Sequence, residues 1–599
     1  MTAISPLGTG DNADAVSASP AATKPEDDIE NGEKQPVQVR FGDQSSRLPR
    51  AKIITIFLTC AMVDFVALID QTTLAVALSI IGNALNSSNQ TSWIASGYFI
   101  TSTSFQLLYG RLSDIWSRKH VLYAGLAFFF IGSLASSFST SAIQLIVFRA
   151  ITGIGGGGLM TVAQIIVSDV VSLRDRGRYQ GILGAVVAVS NGIGPLIGAA
   201  LASASDNGWR WIFRLNLFTA AFTTACCHFF MPLKKTQGHW KEKLIAVDIF
   251  GAALTLLGST LLILGLTWGG DHRSWNSPIV VSTLVLGFAS MVAFIFWEWT
   301  GTKYPLVPMH IFKFRMVNGA CLTMAINGWL FLTQIYYIPT FYQLAYGYSA
   351  IRAGALLLPL TLIQTLSSTL SGLIVTWRGR YRESILVGWM FWTVGLGLFS
   401  TLDVNSGVGK QIGYAILTGF GVGQTLQPSL IAIQAGVNKE DMAVVTSTRN
   451  FIRNLGGTFG LAIAGTIINS CLLHSISSPA LNLTPEEISM ILNNPSTSKT
   501  IAFSAANESD ISAAIFSAYK KGFRIVFILS ASLAALALFL AVILMPHIDI
   551  KHEKKADSDE SQNGSHVLVK ETRSKGSSPH TPPKEVSHEL DVSKYDNIL

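Results

Sequence analysis

The stretch GILGAVVAVSNGIGPLIGA, residues 181–199, places five glycines, one proline and three alanines inside a single apolar run. Small side chains let neighbouring helix backbones approach within a bilayer, and Pro195 removes one helix hydrogen bond, so the run reads as a bent, closely packed membrane helix. Taken alone it fits ordinary small-residue helix packing equally well. Its setting decides between the two.

With 599 residues, 49% hydrophobic content and only 13% charged residues, the chain is too apolar for a soluble protein of its size. Stretches near the ~20 residues that cross a bilayer recur along it. They fall at about 53–83, 92–112, 121–139, 142–170, 179–203, 210–231, 247–269, 277–299, 316–343, 350–376, 384–401, 411–436, 442–473 and 522–545. The expectation is an all-α polytopic membrane protein with fourteen transmembrane helices. An even number puts both tails in one compartment. The loops then placed inside carry Arg111, Arg118, Lys119, Arg174, Arg176, Arg178, Lys234, Lys235 and further basic residues, while the outside loops carry Arg210, Arg273, Arg352 and Lys410. The positive-inside rule therefore predicts cytosolic tails. The glycosylation sequons at Asn86, Asn89, Asn482 and Asn507 fall on the predicted outside loops.

The net charge of +7 follows from this topology, and no basic patch with interleaved aromatics suggests nucleic acid. Cys60, Cys226, Cys227, Cys321 and Cys471 lack metal-ligand spacing, so no metal site is expected. Residues 1–50 and 547–599 are rich in Ser, Asp, Glu, Lys and Pro and read as disordered cytosolic tails. No cleavable leader precedes the first span, which would serve as an uncleaved signal anchor. The run Gly153–Gly158 lacks the strand before it and the Lys-Ser/Thr after it that a nucleotide loop needs. Enzyme signatures are missing throughout, and the energy source expected is a proton gradient rather than a bound cofactor.

Residues 110–119, GRLSDIWSRK, join the second and third spans and set Asp114 four residues after Gly110, followed by the Arg118-Lys119 pair. This resembles the signature of the major facilitator superfamily, departing from it at Ile115, where Arg is common, and at Ser117, where Gly is common. The resemblance implies that Gly110, Asp114, Arg118 and Asp169 form a conformational gate, with Arg118 and Asp169 as an inner latch. Solvated helix ends are the alternative reading of the last two. A partial repeat, GLIVTWRGR at 372–380, aligns Gly372 and Arg380 with Gly110 and Arg118 but has Thr376 where the aspartate stands. It fits two six-helix bundles, 51–232 and 301–546, with a linker and two extra helices at 233–300 and an external loop at 474–521.

Charges inside spans are costly, about 2.5 kcal/mol or more each on insertion scales. Asp64, Asp70, Arg149, Arg214, Arg449 and Arg453 are such residues. Asp64 and Asp70 point about 120° apart on a helix and do not form a carboxylate pair. The segment from Asp70 resembles the first-span motif of the fourteen-span drug:proton antiporter group, and Arg149, leading into the glycine run, resembles its fourth-span motif. At ~1.5 Å per residue both lie in the outer half of the membrane, within reach of each other. A nearby cation favours ionised Asp70 and desolvation favours the protonated form, so the pair is either a proton switch or a static structural pair. Arg449 and Arg453 either snorkel to lipid headgroups or join the inner gate. Arg214 is read as an interfacial anchor or a lining residue.

For the substrate cavity, Asn327, Gln334, Tyr337, Gln343, Gln424 and Gln427 supply the amide and aromatic groups that suit amphipathic ligands. The stretch from Tyr336 to Gln343 looks very like fungal members of the same antiporter group. In that company Gly181, Gly194, Pro195 and Gly198 resemble the fifth-span antiporter signature, with Ser190 and Ala199 where glycine is usual. The resemblance implies a monomeric proton-coupled exporter similar to fungal toxin and multidrug efflux pumps, in the plasma membrane or alternatively the vacuolar membrane. Its partners would be a small-molecule substrate and the bilayer. A siderophore, amino-acid or vacuolar carrier of the same fold is the runner-up, and a transporter-like receptor is a third reading.

Overall fold

A computed structural model of the chain describes residues 49–546 except 86–90, 172, 206, 232–246, 270–273, 349, 404–405 and, within 478–507, all but Thr484 and Glu487. The four sequons and both tails, apart from residues 49 and 50, therefore lie outside the described residues. Among those described, regular structure consists of fourteen long α-helices and two short 3-10 segments, with no strand. The first six are α1 (Arg50–Ala84), α2 (Thr91–Ile115), α3 (Arg118–Ser137), α4 (Ala142–Val170), α5 (Leu173–Ser203) and α6 (Arg210–Phe230). Two more follow, α7 (Ile249–Thr267) and α8 (Pro278–Thr300). The last six are α9 (Arg315–Tyr346), α10 (Ala350–Arg378), α11 (Arg382–Phe399), α12 (Val408–Ala435), α13 (Met442–Ile476) and α14 (Glu508–Leu544).

Each apolar stretch of the sequence lies in one of these helices. Ten of the fourteen are long and apolar enough to cross a bilayer on length and composition. The others are α2, α5, α6 and α11, and α2 shows why a helix can fall short: its Ser102, Thr103, Ser104 and Gln106 are buried against other helices rather than facing lipid. At the opposite extreme, α8 exposes Phe288, Phe296 and Trp299 on a face that only a lipid environment would tolerate. The largest boundary difference from the sequence reading is at the last helix. α14 begins at Glu508, so the end of the loop read as 474–521 is helical. Ile515, Ala518 and Tyr519 are buried there, Ser475 hydrogen-bonds the Ala514 carbonyl, and Lys520 pairs with Asp403 at 2.6 Å.

Helix packing repeats between the two halves of the chain. α2 packs on α4, α1 on α5 and α6, and α3 on α4 and α6; α10 packs on α12, α9 on α13 and α14, and α11 on α12 and α14. The seam between the halves obeys the same symmetry, with α2 against α13 and α5 against α10. The glycine run of α4 is packing material: Gly155 meets the backbone of Gly125 and Phe129 on α3, and Gly157 meets that of Ser102 on α2. α7 sits beside this seam, in contact with α2 and α13, and Ser259 of α7 donates to Ser104 of α2 at 2.8 Å. Asp248 caps α7 at the Gly251 amide, 2.8 Å away, and also receives the Trp297 indole of α8 at 2.9 Å, which ties the two extra helices together.

Candidate functional site

Asp70 lies mid-helix in α1 and is fully buried, as is Arg149 of α4. One guanidinium nitrogen, Nη1, donates to both Asp70 carboxylate oxygens at 2.8 Å. Asn216 of α6 donates its amide to Asp70 Oδ1 at 2.6 Å. The Arg149 guanidinium lies over the Tyr98 ring of α2, 4.6 Å from its centroid, and the Tyr98 hydroxyl accepts from Gln71 at 3.3 Å. Four helices thus build one cluster, with α4 and α6 reaching the α1 carboxylate and α2 lying against the guanidinium. Arg149 Nε and Asn216 Oδ1 have no hydrogen-bond partner among the described residues, so the cluster is tight but not saturated. Asp64 is also buried, with Oδ1 unpartnered, and is not bonded to this cluster.

The glycines of α5 press on α1 immediately beyond Asp70. A Cβ on Gly194 would collide with the Thr72 hydroxyl, and one on Gly198 would collide with the Thr73 carbonyl and stand 2.7 Å from its Cα. Thr72 and Thr73 keep their hydroxyls on the carbonyls of Leu68 and Ile69, and the Thr72 hydroxyl also reaches the Ser190 carbonyl of α5 at 3.3 Å. α5 is helical through Gly181 and Pro195, but their surroundings lie outside the described residues.

At the other end of α2, Arg118 receives two carboxylates. Its Nη1 stands 2.7 Å from Asp114 and its Nε 2.9 Å from Asp169 at the end of α4, while Nη1 also donates to Ser113 at 2.6 Å. Its neighbour Lys119 has a different task, donating to the carbonyls of His228 and Met231 where α6 ends, at 2.9 and 2.6 Å. Gly110 is a point of close contact between the halves, since any Cβ there would strike the Ser447 hydroxyl of α13. Asn450 of α13 donates to Gln164 of α4 at 3.0 Å and Asn454 to Gln106 of α2 at 3.2 Å, so the seam is also bridged by side chains. The repeat in the second half builds no such cluster: Thr376 bonds its own helix, and Arg378 and Arg380 pair with Glu383 at the surface. Arg118→Gln and Asp169→Asn should each slow transport, and the double variant should lose less than the two effects combined, by a coupling of roughly 0.5–3 kcal/mol. Additive losses in transport assays would show that the two side chains do not act as one unit.

The cavity candidates divide. Asn327 is buried, accepts from Arg453 Nε at 2.9 Å and donates to Thr425 at 3.1 Å. Gln334 is buried with both amide atoms unpartnered. Gln424 is held by Ser367 of α10, at 3.0 Å from its hydroxyl, and Gln427 is buried on the same helix, α12. Tyr337 is half-buried within its own half, with its hydroxyl on the Leu461 carbonyl of α13 and its ring against Phe523 of α14. Gln343 is exposed near the end of α9.

For Arg449 the structure favours the inward one of its two readings. It does not snorkel, being buried and bonded to the Leu426 carbonyl at 2.7 Å, to Ser429 at 3.0 Å and to Asn450 at 3.0 Å. Arg453, one turn on, faces inward as well, over the Phe331 ring. Arg214 of α6 covers Trp211, 4.9 Å from the ring centroid. Asn216 and Tyr98 were not singled out as Asp70 partners by sequence; the only signal for Asn216 was an amide two residues after an intramembrane arginine.

Comparison with known proteins is consistent with this architecture. A family model described as Major Facilitator Superfamily matches residues 60–461. The chain is 32% identical over 544 residues to Citrate exporter 1 of Yarrowia lipolytica, covering 90% of this chain and 79% of that one. It is 32% identical over 437 residues to the efflux pump dotC of Dothistroma septosporum, covering 73% and 75%. Among solved structures, the proton:xylose symporter XylE superposes with a TM-score of 0.54 at 12% identity, covering 84% of this chain and 97% of that one.

Proposed function

The chain belongs to the major facilitator superfamily and is a membrane transporter of small compounds rather than an enzyme, and from that premise we propose that it exports small amphipathic molecules in exchange for protons by alternating access. The observation that carries this reading is the Asp70 cluster. The buried Asp70 carboxylate, bonded by Arg149 and Asn216, is the group whose gain and loss of a proton would couple helix movement to transport. The second support is the division of labour along the bundle. The Asp114–Arg118–Asp169 cluster and the Asn450–Gln164 bridge lie towards one end, which the distribution of basic residues assigns to the cytosol, and Asp70 lies towards the other. On this reading the bridged seam belongs to a state closed to the cytosol.

Export is favoured by the relatives, whose names include a citrate exporter and an efflux pump; those names differ in cargo and leave the substrate class to this chain's own residues. The fold alone is neutral on direction, since a proton:xylose symporter shares it. The test is transport in proteoliposomes under an imposed pH gradient, using a panel of amphipathic dyes and organic acids. Antiport moves a substrate against the direction of proton flow and stops when a protonophore collapses the gradient. Movement in the same direction as protons, or movement indifferent to the gradient, would refute it.

A further inference from the structure

The two halves treat buried cations in opposite ways. In the first half Arg149 is neutralised by Asp70. In the second, Arg449 and Arg453 stand one turn apart on α13, and neither has a carboxylate partner among the described residues. Arg449 is 2% exposed and spends its donors on neutral oxygens. Arg453 gives its Nε to Asn327, while its two terminal nitrogens have no hydrogen-bond partner among the described residues and are not sealed off. Like charges one turn apart repel, and uncompensated charge inside a membrane protein is expensive, so a fold that keeps such a pair has a reason to. The counter-charge absent from the protein is available from a ligand.

Resting on the reading of this protein as a transporter of small compounds, we propose that Arg453, supported by Arg449, receives a carboxylate group of the transported molecule. The open edge of a guanidinium is a planar two-donor fork that matches a carboxylate. Around it the site offers what an organic acid needs besides a cation. Phe331 provides an apolar wall beneath the guanidinium, 4.9 Å from its carbon. Gln334 lies seven residues beyond Asn327 and thus about 20° from it around α9, roughly 10 Å along the axis; its two amide atoms are enclosed and without a partner among the described residues, an unmet polar demand on the same side of the helix. Arg449 does not touch the ligand; it is a positioning residue that raises the local potential and holds the α12 segment from Leu426 to Ser429 against α13. Because Asn450 and Asn454 flank this arginine pair and bridge to the first half, an anion bound at Arg453 lies next to the seam that must open and close.

The test uses the purified full chain in phosphatidylcholine nanodiscs, which contain no anionic headgroup. Thermal midpoints are followed with succinate and benzoate, each beside its neutral amide, and with inorganic phosphate. Carboxylates should stabilise the protein and the amides should not; Arg453→Gln should weaken the carboxylate effect at least tenfold, and Arg453→Lys should retain part of it. Equal stabilisation by the amides, equal stabilisation by phosphate, or an unchanged response in Arg453→Gln would overturn the assignment. The amide comparison needs no variant, so it stands even if Arg453→Gln folds poorly. Stabilisation confined to nanodiscs doped with an anionic lipid would assign the arginines to a headgroup and likewise overturn it. Proteoliposome transport separates the two readings. Gradient-driven movement of a neutral dye without carboxylate binding leaves the exporter and removes this site, whereas carboxylate binding through Arg453 without any response to a pH gradient does the reverse.

Discussion

Asp70→Asn abolishes substrate movement driven by a pH gradient while substrate exchange at equal pH continues. The expectation follows from the asymmetry between what the side chain does electrically and what it does sterically. Asparagine keeps the shape and can still accept from Arg149 or Asn216, whose donors stand 2.8 and 2.6 Å from the Asp70 carboxylate, but it cannot ionise. The variant leaves Arg149 buried without a counter-charge, and breaking a buried pair from one side costs about 3–5 kcal/mol. A drop in thermal midpoint is therefore part of the expected result and could be mistaken for the whole of it. Adding Arg149→Gln removes the stranded charge and should restore most of the stability, since two neutral amides can replace an ion pair of similar volume. It should not restore coupling. If the double variant recovers both stability and gradient-driven transport, or if Asp70→Asn transports like the parent, the pair is a structural strut and the proton is carried elsewhere, with buried Asp64 of the same helix the next candidate.

The sequence made some of this site legible and hid the rest for physical reasons. Long apolar runs mark helices because the bilayer fixes their length, and each such run here is helical. Asp70 and Arg149 stood out because ionised groups in spans are rare, and counting residues along two helices placed them at one depth. Asn216 and Tyr98 did not, because amides and aromatic rings occur throughout the spans and depth alone does not say which of them turn inward. Arg449 shows the same limit from the other side. It is seven residues into α13, near enough to an end to suggest snorkelling, yet α12 folds over it and supplies Leu426 and Ser429. A helix apolar on every side gives no periodic signal to orient its few polar residues. For that reason residue type alone groups Tyr337 and Gln343 with Asn327, although only Asn327 bonds an arginine. The cluster around Arg118 was legible in its charges, but the separate role of Lys119 as a cap on α6 depends on where another helix ends.

The glycines of α5 supply the other large expected effect, and they divide a packing motif into positions that matter and positions that do not. Gly198→Val places a branched side chain against the Thr73 backbone, where the carbonyl and Cα cannot rotate away as a side chain would. α1 and α5 must part, at a cost of roughly 1–3 kcal/mol for overpacking. Thr73 is three residues from Asp70, less than one turn, so the displacement reaches the carboxylate and its bonds to Arg149 and Asn216. Transport should fall at least tenfold, with the gradient-driven component lost first. Gly192 lies on the same helix, six residues away, and a Cβ there would meet nothing within 4 Å. Gly192→Ala should therefore leave transport intact and raise stability by up to ~1 kcal/mol through helix propensity. Thermal midpoints and transport rates of the two variants, measured side by side, decide the matter. If both behave alike, α5 is merely a small-residue helix, and the close approach of α5 to α1 has no part in holding Asp70 against Arg149.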